Sequence, residues 1–136
     1  MDFLRSVQAA ASGLKVQAGR MRIIAENIAN ADSVAQRPGQ EPYRRKIPTF
    51  RSELDRELDM RRVELGRVQR DQAPFRLKFE PNNPAADAQG NVRLPNVDRH
   101  IEQMDMKEAQ RSYEANLGVI TATRRMVSQT LSILRA

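Results

Sequence analysis

The stretch LRSVQAAASGLKVQAGRMRIIAENI, Leu4 to Ile28, decides the reading of this chain, because Leu4, Val7, Ala11, Leu14, Ala18, Met21, Ala25 and Ile28 follow one another at steps of 3 and 4. That recurrence keeps apolar side chains on one face of an α-helix and is the spacing of a coiled-coil seam. No seam position is polar. Leu4, Ala11, Ala18 and Ala25 make a mostly alanine side and Val7, Leu14, Met21 and Ile28 a bulky one, so a partner helix can come close along the first and interlock with the second. The spacing predicts an N-terminal helix over residues 1–32 whose seam is a packed interface.

A second stripe, Met106, Ala109, Tyr113, Leu117, Ile120, Val127, Leu131 and Leu134, predicts a C-terminal helix over residues 98–136, with Arg124 interrupting it once. Asp98, Glu102, Asp105, Glu108 and Glu114 crowd its first half and Arg124, Arg125 and Arg135 its last, the order that a helix dipole favours. Pro95 and Asn96 suit the approach to its start. A helix of that length spans about 55 Å, whereas a compact chain of this size has a radius of gyration of about 14 Å. The expectation is an elongated subunit whose end helices pair with each other, Tyr113 and Asn116 marking the pairing, and with neighbouring chains. An ordinary antiparallel helix pair inside a monomer also accounts for both stripes.

Residues 33–97 form a middle segment with a different rhythm. Ala31 to Gln40, with Arg37, Pro38 and Gly39, reads as a loop. Phe50, Leu54 and Leu58 recur at helical spacing and suggest a short helix or an ordered arm. Val63 and Leu65, then Phe75, Leu77 and Phe79, alternate with charges and read as strands, with Asp71 to Pro74 as the hairpin turn between them and Val92 to Leu94 as a last extended piece. A sheet of two or three short strands is marginal alone and must lean on the helices or on a neighbour. The fold class is therefore mainly α with a small β region.

Composition closes off other classes. Only 4% of residues are aromatic and there is no cysteine, so the middle segment can build only a thin core and no disulfide can staple it. No run of about 18 apolar residues is present to span a membrane, and the start of the chain, with Asp2 and Arg5, does not read as a secretory signal. The net charge of +6 gathers at Arg44 to Lys46 and along Arg61 to Lys78. Binders of single-stranded nucleic acid interleave such charges with stacking aromatics; these are scarce here, so a solvated basic surface or one complementary to an acidic neighbour fits better. The single histidine, His100, stands among Asp98, Arg99 and Glu102 where a solvent-facing role is expected. Glu53, Asp55, Glu57 and Asp59 form a charge run of the kind that faces solvent. Neither a phosphate-cradling glycine loop nor metal-ligand spacing occurs, so no catalytic, cofactor or metal site is expected.

Four stretches carry a resemblance that periodicity alone cannot supply. SGLKVQAGRMRIIAENIANADS, Ser12 to Ser33, resembles the rod signature of the bacterial flagellar axial proteins, with Ser12 and Gly13 at its start and Asn27 and Asn30 in the Asn-Ile-Ala-Asn-Ala-Asp end. PYRRK (Pro42 to Lys46), FEPNNPAADAQGNVRLPNVD (Phe79 to Asp98) and MDMKEAQRSYEANLGVI (Met104 to Ile120) narrow it, over nearly the whole chain, to the FlgC family of proximal rod proteins. Phe79, Asn83 and Asn91 depart from the family's usual Tyr, His and Tyr. The Pro95-Asn96-Val97-Asp98 entry to the last helix separates this family from the related FlgB rod proteins.

The resemblance implies a non-enzymatic subunit of the flagellar basal-body rod, which spans the periplasm and transmits torque from motor to hook. It implies export, without a cleaved signal, through the flagellar type III apparatus; Phe3 and Val7 are similar to the apolar signal proposed for that gate, although seam packing explains them equally. The implied partners are further copies of the chain, the rod proteins FlgB, FlgF and FlgG, the adaptor FliE and the base ring. Nucleic acid and direct membrane insertion are not implied. In this family the terminal helices form an inner coiled-coil layer around which the middle segment lies, and the free subunit gains order at its ends on assembly. Asn27 and Asn30 then either bond backbone groups where the chain leaves the helix or reach a neighbouring subunit, and Pro95, Asn96 and Val97 fix the entry to the last helix. Another proximal rod protein of the FlgB kind, or a rod adaptor, is the alternative within the flagellar class, and a soluble coiled-coil protein docking an acidic partner is the alternative outside it.

Overall fold

The first helix, α1, covers Asp2–Ala29 in the computed structural model, which describes residues 2–135. At its end the Asn30 N–H makes the last helical bond to the Glu26 carbonyl at 3.1 Å, and the Asn30 Nδ2 donates to the same carbonyl at 2.8 Å. The last helix, α2, covers Arg99–Arg135. Asp98 caps it: its Oδ1 accepts the N–H groups of His100 at 2.8 Å and Ile101 at 3.4 Å, as a short acidic side chain at this position does. The expected outer limits at residues 1 and 136 lie outside the described residues.

Six short strands lie between the helices: β1 (Lys46–Ile47), β2 (Phe50–Asp55), β3 (Met60–Leu65), β4 (Gln69–Arg70), β5 (Arg76–Phe79) and β6 (Asn91–Leu94). Among the described residues they pair as three antiparallel two-stranded ladders, β1 with β4, β2 with β3 and β5 with β6. Two expectations are corrected here. Phe50 and Leu54 lie in a strand, not a helix or arm, and Leu58 falls in the connecting loop. Their spacing of four is also an even number, so it places Phe50 and Leu54 on one face of a strand as readily as on one face of a helix. Asp71 to Pro74, in turn, does not close a hairpin, because β4 returns to β1 and β5 goes forward to β6. The chain does bend there, through an Asp71 Oδ1 that accepts the Ala73 N–H at 2.8 Å, but the bend joins strands of different ladders.

The β2–β3 loop shows how so polar a hairpin is held. Asp55 Oδ1 accepts the N–H groups of Glu57 and Leu58, Asp55 also pairs with Arg62 at 3.1 Å, and Asp59 takes the left-handed conformation with φ of 46°. Aspartate tolerates that region better than most residues. At the far end of the hairpin, Gly66 donates its N–H to the Thr49 carbonyl at 2.6 Å, and a Cβ on it would stand 2.6 Å from Thr49 Oγ1.

The chain divides into two units, each with its own small core. The first comprises Met1–Met21, Thr49–Arg67 and Lys107–Ala136. In it the β2–β3 hairpin lies against α1: the Val63 N–H donates to Ser12 Oγ at 3.4 Å, and Leu65 covers Gly19, where a Cβ would come within 3.1 Å of it. Ala10, Val16, Ala109 and Thr123 are its buried residues. The second unit comprises Arg22–Pro48 and Val68–Met106. Ile23, Ile24, Ala31, Val92, Pro95 and Val97 are buried in it, and Arg76 ties its parts by donating to the carbonyls of Pro95 (3.2 Å) and Ala31 (3.0 Å). No helix among the described residues is long and apolar enough to cross a membrane.

Candidate functional site

In the second unit the polar residues of the Asn-Ile-Ala-Asn end are not spread over a surface. Asn27 is 1% exposed and uses its whole hydrogen-bonding capacity inside the unit. Its Nδ2 donates to the Lys46 carbonyl (2.9 Å) and to Glu102 Oε2 (3.0 Å), and its Oδ1 accepts the Lys46 N–H (2.9 Å) and the Tyr43 hydroxyl (2.8 Å). Glu102, also 1% exposed, takes the Arg45 Nε at 2.5 Å on its other oxygen. Arg45 further faces Asp105 at 3.5 Å and Asp71 at 3.7 Å. Burial opposes the Arg45 charge, but the hydrogen bond and charge of Glu102, with Asp105 and Asp71, outweigh it and hold the guanidinium protonated. Asn96 closes the ring of contacts: its Oδ1 accepts the Arg45 N–H at 2.8 Å, and its Nδ2 donates to the carbonyls of Asp71 and Ala73, both at 3.1 Å. Pro95 and Val97 are buried on either side of it.

Asn27 therefore bonds backbone and side chains of its own chain, while Asn30 bonds only locally, to the Glu26 carbonyl and from the Ser33 hydroxyl and N–H. Sequence reasoning singled out both asparagines but missed Tyr43, Arg45, Lys46 and Glu102 as their partners. Periodicity could not have found Arg45, which sits in a run of three cations; the one available signal was Glu102, a carboxylate at a core-facing position of the α2 stripe.

Tyr43 reports on this node. Burial first, and then the charges of Glu26 and Glu102, push its hydroxyl from 10.0 up to about 12. Because the folded value is the higher, the hydroxyl's contribution to stability is complete below pH 10.0 and is lost as pH rises through about 12. The chain has two tyrosines, so in a Tyr113→Phe background the ultraviolet absorbance of the phenolate should titrate near 12 in the native chain and near 10.0 in denaturant. A native titration near the ordinary value would show that the hydroxyl is not enclosed.

The first unit places the Ser-Gly pair and most of the seam. Ser12 Oγ donates to the Ala9 carbonyl at 2.7 Å and accepts from β3, whereas Gly13 faces α2. A Cβ on Gly13 would stand 2.8 Å from the Asn116 amide, so a larger residue there would have to displace the Asn116 side chain. Arg20 pairs with Glu108 at 3.2 Å. The pairs 13 with 116 and 20 with 108 run in opposite directions, which makes α1 and α2 antiparallel in this unit. The α1 face turned to α2 is thus Ala10, Gly13, Gln17 and Arg20, the predicted seam moved back by one residue, or about 100° around the helix. Among seam residues Leu4, Ala11 and Ala18 are exposed and Val7, Leu14 and Met21 half-buried; in the second unit Ala25 is exposed and Ile28 half-buried.

On α2, Tyr113, Asn116 and Ile120 are half-buried on the face that carries Ala109 and Thr123, while Leu117 is exposed beside it. Val127, Leu131 and Leu134 continue that face at helical spacing but are exposed, Leu134 to 78%. The chain's own fold thus brings Asn116 against α1 and leaves Leu4, Ala11, Ala18 and Ala25 of the seam and Leu117, Val127, Leu131 and Leu134 of the stripe exposed.

Residues 88–133 match the family described as flagellar basal body rod FlgEFG protein, C-terminal. A flagellar basal-body rod protein FlgC of Agrobacterium fabrum is 50% identical over 127 residues, covering 93% of this chain and 91% of that protein. The chain belongs to the FlgC family. The FlgC proteins of Salmonella typhimurium, 39% identical over 133 residues and 98% of each chain, and of Aquifex aeolicus, 37% identical over 130 residues and 96% of each, extend the likeness across the full length. Similarity to the FlgC family therefore includes α1, the polar node and α2 together, and is not confined to one helix.

Proposed function

We propose that this chain is a structural subunit of the proximal rod of the bacterial flagellar basal body, without chemistry of its own, and carries torque from motor to hook. Full-length membership in the FlgC family carries the reading. The exposed faces support it: Leu4, Ala11, Ala18 and Ala25 on the α1 seam and Val127, Leu131 and Leu134 at the end of α2 suit coiled-coil packing against neighbouring subunits. Heterologous contacts of this kind propagate into open helical arrays and do not close. A driveshaft gains torsional stiffness from many such side-by-side contacts.

Further copies of the chain, FlgB, FlgF and FlgG, the adaptor FliE and the base ring are the partners this reading assigns, with delivery by the flagellar type III apparatus into the rod across the periplasm. The test is electron microscopy of basal bodies from a deletion strain of the source bacterium, with and without the gene restored. Base rings lacking a rod, repaired by complementation, are expected. Intact rods and hooks in the deletion strain would sink the reading.

A further inference from the structure

We infer that the buried Asn27–Glu102 pair selects which face of α1 is covered by α2 in the second unit. Two neighbouring faces compete there. One carries Ile24 and Asn27 and is buried; the other carries Ala25 and Ile28, the end of the predicted seam, and is exposed or half-buried. By apolar content alone the second face is the better one, since it has no polar member, yet α2 lies on the first. The node accounts for the choice. With Asn27 turned to α2, its Nδ2 meets Glu102 Oε2 at 3.0 Å, and Glu102 keeps Arg45 on its other oxygen. A turn of α1 by one residue would bring Ala25 and Ile28 under α2, take Asn27 away and leave a buried carboxylate without that donor. Burying a charge whose partners are removed is strongly unfavourable, whereas a fully partnered one mainly fixes register, the best-attested use of buried polar groups in paired helices. The pair thus withholds Ala25 and Ile28 from the chain's own α2.

The selection stands on the geometry of this unit. Its consequence, that the withheld face stays available to neighbouring subunits, rests on the rod-subunit reading. The test separates the two. The chain has no cysteine, so Ala25→Cys is a single-site probe of the seam face. In the otherwise native chain it should react freely with maleimide. In an Asn27→Leu/Glu102→Leu background, where both faces are apolar and Arg45 keeps Asp105 and Asp71, labelling should slow by at least about two-fold, the value for an even mixture of the two packings. Unchanged labelling in the double-leucine background, with helix content retained by circular dichroism, would overturn the inference. Loss of helix would overturn it too, since the pair would then be holding the helix and not choosing its face. Labelling is read on the free chain, so its outcome is independent of whether the deletion strain lacks a rod.

Discussion

Arg45→Met should destabilise the second unit by about 3 kcal/mol, the lower end of what breaking a buried ion pair costs. The loss falls on Glu102, which is 1% exposed and would keep only the Asn27 amide as a partner. Arg45 is itself about a quarter exposed, and part of its interaction with Asp105 and Asp71 is screened by water, which places the figure at the lower end. The contrast is Lys78→Met, which removes an exposed pair with Glu80 on the same unit and should leave the unfolding midpoint nearly unchanged. Urea unfolding followed by Tyr43 fluorescence in the Tyr113→Phe background reads the second unit directly. Equal midpoint shifts for the two variants would show that Glu102 is reached by water and that the node is an ordinary surface network.

The two long helices were legible from the sequence because a 3.6-residue period over about thirty residues cannot be produced by short strands. Asp98 as the start of α2 was legible for a different reason: a short acid placed before an apolar-periodic run is a cap signal. The middle segment was only half legible. Leu65 and Val92 sit in strands where alternation placed them, but Phe50, Leu54 and Leu58 obey both periods, and nothing local distinguishes them. Strand partners were beyond reach, since the pairing of Lys46 with Arg70 is decided by where Asn96 and Arg45 hold the chain, a contact between residues 51 apart.

For the candidate site, periodicity marked the seam as an apolar face but could not tell which face α2 would take. Gly13, which lies opposite Asn116, and Asn27, which bonds Glu102, mark the face it takes in their respective units. Both are polar or featureless in a hydrophobic count. The signal that could have exposed them was their position: Gly13, Gln17, Arg20, Ile24 and Asn27 also recur at steps of 3 and 4, a second register hidden beside the apolar one.

Ala18→Leu should abolish motility while leaving the isolated chain folded as before. Ala18 is exposed, so a leucine there meets solvent in the free subunit, and because leucine is a good helix former the change in stability should stay within about 0.5 kcal/mol. In an array built on the seam the same side chain points into the narrow, alanine-lined side, where a neighbouring helix has room for a methyl group only. Overpacking such a contact costs about 1–3 kcal/mol, and a lattice repeats the cost at every copy, so a modest local clash becomes failure to assemble. Ala18→Ser keeps the side chain small and should retain motility, which separates steric jamming from a mere change of residue. The measurement is swimming in soft agar by a deletion strain complemented with each variant, beside thermal unfolding of each purified chain. Full motility with Ala18→Leu would mean that this face of α1 lies open in the assembled rod, and the packing contacts would then have to be sought on α2, at Val127, Leu131 and Leu134.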